Sequence, residues 1–164
     1  LQQGLRRPRG GQAPARRWAK ARARQCGTMS RLALTYLATF LSIGLLDALW
    51  LGVIALRWYQ QAIGHLMAPK PHALAAAAFY LLYPVGVVIF AVLPSGGDWQ
   101  RAMLLGALFG LFAYGTYDVT NLAVMRDWPL RITLVDIAWG SFASAAGAVA
   151  GALALRALQG PAGG

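Results

Sequence analysis

Three carboxylates, Asp47, Asp118 and Asp136, stand inside long apolar runs of this 164-residue chain, and their chemistry most needs an account. A mid-helix aspartate in lipid costs about 2.5–3.5 kcal/mol on insertion scales, so each must face a protein interior or a polar cavity. Asn121 follows Asp118 by three residues, Tyr117 precedes it by one, and Tyr80 lies in another apolar run. Asp47 and Trp50 form a D-x-x-W pair that Asp136 and Trp139 repeat. The i, i+3 step puts acid and indole on one helix face. Such a set can line a water-accessible pocket that binds or conducts a proton, a cation or a cationic small molecule. It can equally serve as neutral, hydrogen-bonding glue between helices in a structural or assembly subunit. No Lys or Arg lies inside the apolar runs, so only Arg57, Arg126 and Arg131, at their ends, could reach back by snorkelling.

Other chemistry has thinner support. His65 and His72 are seven apart in a Pro-broken stretch and match no ligand spacing, so neither a metal nor another cofactor is expected. Phosphate loops, H-E-x-x-H and activated-nucleophile motifs are missing from the sequence, which leaves a membrane-embedded enzyme as the third choice. The single cysteine, Cys26, can close no intrachain disulfide.

The elements that must position these residues are membrane helices. The chain is 58% hydrophobic, has five acids, all Asp, and contains apolar runs longer than a soluble core helix requires. The net charge of +10 comes mostly from eight basic residues before Cys26; without residues 1–28 it is +2. The remaining basic residues flank apolar runs as helix anchors, so nucleic acid is excluded as a partner and the lipid bilayer is the expected one. Residues 1–28, rich in Arg, Gly, Pro and Ala, cannot bury enough surface to offset ordering, and are expected to be a disordered basic leader. A translational start at Met29 is expected for such text.

The pattern predicts an all-α, integral membrane four-helix up-down-up-down bundle over residues 29–158, with spans at about 32–56, 73–93, 102–124 and 132–155 and a flexible tail at 159–164. The connection Trp58–His72 carries Gly64, Pro69 and Pro71 as breakers, and WYQQAIGHLM suits the interface. Pro84 frees the carbonyl of Tyr80 and predicts a kink. Both termini fall on one side. Flanking charges give three basic residues against four and do not set orientation; the eight in the leader tip it to a cytoplasmic N-terminus.

Call the terminal side A and the opposite side B. By direction of travel, Asp47 lies about three residues past the centre of its span and Asp118 about five past, while Asp136 lies about five residues in from side B. All three fall in the B half, within roughly 5–10 Å of one another in depth, with Tyr80, Asn121, Trp50 and Trp139. Gly106, Gly110, Tyr114, Asp118 and Asn121 form one face of the third span, and Gly140, Ala143, Ser144, Gly147 and Gly151 line the fourth. Small residues let backbones approach closely, so these two spans are expected to pack through the stripes and carry Asp118 and Asp136 inward.

Together the D-x-x-W of the first span, FYLLYP at Phe79–Pro84, GTYDVTN at Gly115–Asn121, W-P at Trp128 and Pro129, and VDIAWG at Val135–Gly140 resemble the bacterial membrane-protein family termed domain of unknown function 2177. The likeness covers about Arg31 to Leu155. It implies a bacterial inner-membrane protein with four spans and implies no activity. Four short spans make a thin wall, so a transporter would act as a homodimer or within a larger membrane complex.

Overall fold

The computed structural model describes residues 13–159, and every regular element among them is helical. Four long helices carry the predicted spans. Helix α1 joins an α segment Ala13–Leu49, a π segment Trp50–Ala55 and an α segment Leu56–Ile63. Helix α2 joins Ala73–Val87, a π segment Val88–Val92 and Leu93–Ser95. Helices α3 and α4 are the unbroken runs Trp99–Val124 and Leu130–Gln159. All four are long and apolar enough to cross a membrane.

Two boundaries differ from the sequence reading. The α-helix of the first span begins at Ala13, so residues 13–28 carry helical backbone, in keeping with the strong helix propensity of Ala, Arg and Lys. Residues 1–12 and the tail beyond Gln159 lie outside the described residues. At the other end, Trp58–Ile63 is not part of a loop but the last turns of α1, because the breaker Gly64 is first to interrupt it. That extension carries Tyr59 into the bundle.

The joints follow ordinary capping chemistry. Gly96 and Gly97 take positive φ values of 64° and 92° to end α2, a conformation that costs glycine little. Asp98 then caps α3, accepting from the backbone N–H of Gln100 at 2.9 Å and Arg101 at 3.4 Å. Pro84 sits buried within α2, and the Tyr36 hydroxyl donates to the neighbouring Leu81 carbonyl at 3.0 Å.

Helix α4 is the centre of the bundle: it contacts α3, α1 and α2. Its small residues allow this. A methyl placed on Gly106 would meet Ala148 Cβ at 2.7 Å, and one on Gly110 would strike the Gly140 carbonyl, so α3 lies almost backbone to backbone on α4. The stripe on α4 is nevertheless divided. Gly147 faces Ile43 of α1, and Gly151 faces Thr39 of α1 and Val92 of α2. Expecting the whole stripe to meet α3 is therefore corrected: 3.6-residue periodicity spreads five small residues over more than one partner.

The interior has two compartments. Ile43, Val87, Val88, Ala91, Val92, Ala102, Ala148, Ala152 and Leu155 form an apolar core in the half toward side A. The buried acids Asp47 and Asp118 lie in the B half, while the buried polar residues of the A half are the neutral Thr35, Thr39 and Ser95. Large apolar side chains such as Leu45, Val53, Leu74 and Phe112 point outward, as a lipid-facing surface requires.

Candidate functional site: a polar layer between the helices

Helices α1 and α4 run antiparallel, and this makes the repeated D-x-x-W spacing self-complementary. On α1 the acid is deeper than the indole; on α4 the indole is deeper than the acid. Asp47, 4% exposed, therefore meets Trp139, whose indole N–H donates to its Oδ1 at 2.9 Å. Trp50 stacks on Trp139 with ring centroids 4.4 Å apart and planes within 9°. Trp58 meets Trp50 edge-on at 6.2 Å.

Symmetry breaks at the second acid. Asp136 receives its hydrogen bond from the Tyr59 hydroxyl, not from Trp50. In an unbroken α-helix Tyr59, twelve residues beyond Asp47, would point ~120° away from it. The π segment Trp50–Ala55 turns less per residue, because its i→i+5 bonds widen the ring, and brings Tyr59 back toward the bundle. The sequence reading passed over Tyr59 because it placed Trp58–His72 in the connection, outside the first span.

The third acid has no hydrogen-bond partner among the described residues. Asp118 is fully buried on α3, and neither of its carboxyl oxygens is bonded there. It lies within electrostatic range of Asp136, and Tyr59 interacts with both acids. Tyr80, Tyr83 and Tyr114 lie within electrostatic range of Asp47, and Tyr114 also within range of Asp136. The three acids are thus linked electrostatically through these tyrosines.

Behind that layer, the Tyr83 hydroxyl and Ser144 Oγ are 2.7 Å apart, and Ser144 Oγ donates to the Gly140 carbonyl at 2.6 Å. Tyr83, Phe79, Ala113, Tyr114 and Tyr117 line a cavity of about 400 Å³ between α2 and α3. The sequence reading chose Tyr80 from FYLLYP and missed Tyr83, three residues on, whose hydroxyl is the one that crosses to α4.

Two expected members stand apart. Tyr117 is 60% exposed and meets Trp128 edge-on at 6.1 Å, one helical step round from Asp118. Asn121 is half-buried one turn beyond Asp118, with no hydrogen bond to an acid among the described residues. Nor do three His, Cys, Asp or Glu side chains group closely enough among the described residues to hold a metal ion.

The layer thus joins two acids held by donors across helix contacts to one carboxyl whose hydrogen-bonding capacity is unused. Such a carboxyl can take up a proton or face a cation. Neither a curated protein nor a solved structure matches this chain. One family does: Predicted membrane protein (DUF2177) matches residues 32–153, which span all four helices, and the chain belongs to that family.

Proposed function

We propose that this multi-pass membrane protein binds a proton or small cation at Asp118 and passes it between the polar layer and side B. The reading rests on one observation: a fully buried aspartate with both oxygens unpaired. Leaving a buried polar group unmet costs about 1–3 kcal/mol, more for a charge, and a ligand would repay that cost. Asp136, within electrostatic range, would share or relay the positive charge. In the same reading the protein sits in a bacterial inner membrane with its N-terminus cytoplasmic, and two copies together enclose the path.

The test is flux into proteoliposomes under an imposed proton, potassium or tetramethylammonium gradient in separate arms, each read with a dye or electrode selective for that cation. Wild type should dissipate one of these gradients and Asp118→Asn should not, with equal incorporation and monodisperse elution for both. Indistinguishable behaviour of the two proteins in all three arms would refute the proposal.

A second reading has its own support. The bonds Trp139 to Asp47 and Tyr59 to Asp136 both join α1 to α4, as interhelical glue in an assembly subunit would. A stoichiometric partner after mild-detergent purification, with no flux in any arm, would favour it.

A further inference from the structure

A second cavity, of about 270 Å³, opens where the end of α1 meets the start of α4, at the B surface of the bundle. Its polar side chains are Arg131, Tyr59 and Gln61, with Trp58 beside them. The Arg131 guanidinium carbon sits 5.6 Å from the centre of the Trp58 ring. No carboxylate pairs with Arg131 among the described residues. We propose that this cavity holds the phosphate headgroup of one anionic membrane phospholipid, with Arg131 as its cation and Gln61 as a second donor.

The chemistry favours an anion over any other occupant. A guanidinium laid on an indole keeps its N–H edges free, and that planar fork matches two phosphate oxygens. The same charge makes the cavity a poor entrance for cations, which separates it from the Asp118 site. Drug-sized ligands generally need about 300–1,000 Å³, so the space suits a headgroup better than a whole solute.

Position decides between a lipid and a free phosphate. Ile63 ends α1 and Leu130 begins α4, so the cavity lies at headgroup depth beside two membrane spans. Its remaining wall, Ala62, Pro129, Ile132 and Val135, is apolar and suits the glycerol and first methylenes. Tyr59 separates the cavity from Asp136, to which it is bonded, so bound lipid would also fix one side of the polar layer.

The experiment is native mass spectrometry of the full chain in detergent, titrated with phosphatidylglycerol, phosphatidylcholine or glycerol 3-phosphate. Wild type should retain one phosphatidylglycerol, at least about tenfold more tightly than phosphatidylcholine, whose choline ammonium would set a second positive charge beside Arg131. Arg131→Gln should lose that preference, Trp58→Leu should weaken it, and Arg101→Gln, at the opposite surface, should keep it. Lipid-free thermal unfolding, measured alongside, should be alike in wild type and Arg131→Gln. Unchanged selectivity in Arg131→Gln, or equal loss in Arg101→Gln, would overturn the proposal in favour of non-specific annular lipid. Binding of glycerol 3-phosphate as tight as that of the diacyl lipid would overturn the lipid assignment.

Discussion

The Trp139 indole donates to Asp47 across the α1–α4 contact while its ring stacks on Trp50, so one side chain both satisfies the acid and shields it from lipid. Asp118, in the same layer, has no such donor. Removing the donor of Asp47 and removing the carboxyl of Asp118 should therefore change stability in opposite directions.

Trp139→Phe keeps an aromatic ring against Trp50 but removes the N–H. Asp47 is then buried without its donor, and stability in detergent should fall by about 1–3 kcal/mol. Thermal or steric-trap unfolding measures it. Adding Asp47→Leu to that variant should restore part of the loss, because no polar group is then left unmet.

Asp118→Leu should have the opposite sign. Replacing an unpaired buried carboxyl with an apolar side chain of similar size removes a desolvation penalty, so the variant should gain about 1–3 kcal/mol while losing any proton or cation transfer. If unfolding measurements show a loss instead, Asp118 is structural and the proposed role fails.

Tyr59→Phe removes the hydrogen bond to Asp136 with little change in packed volume. Reaction of Asp136 with a hydrophobic carbodiimide, read by peptide mass spectrometry, should increase relative to wild type. Asp47, held by Trp139, should react as before.

Glycine substitutions should separate close contact from open space. A Cβ at Gly110 meets the backbone oxygen of Gly140, which cannot swing away, so Gly110→Ala must push α3 from α4 and should destabilise by roughly 1–3 kcal/mol. Gly44 has nothing within 4 Å of such a carbon, and Gly44→Ala should be neutral or stabilising by up to about 1 kcal/mol. Paired melting curves test both.

What the chain alone determined follows from the bilayer as solvent. Backbone polar groups in lipid must be bonded within a helix or a closed barrel, and continuous apolar runs of about 20 residues without alternation suit only helices, while the short connections had to make neighbours antiparallel. The same rule marked Asp47, Asp118 and Asp136 as inward-facing and let Gly106 and Gly110 announce a close contact. Tertiary structure decided which partner each polar group found, because that depends on how each helix is rotated about its axis. The π segment Trp50–Ala55 resets that rotation for Tyr59, Gly147 and Gly151 turn to α1 and α2 rather than α3, and Tyr117 swings outward. Non-local packing sets these rotations, and it left Asp118 alone with its two oxygens unpaired.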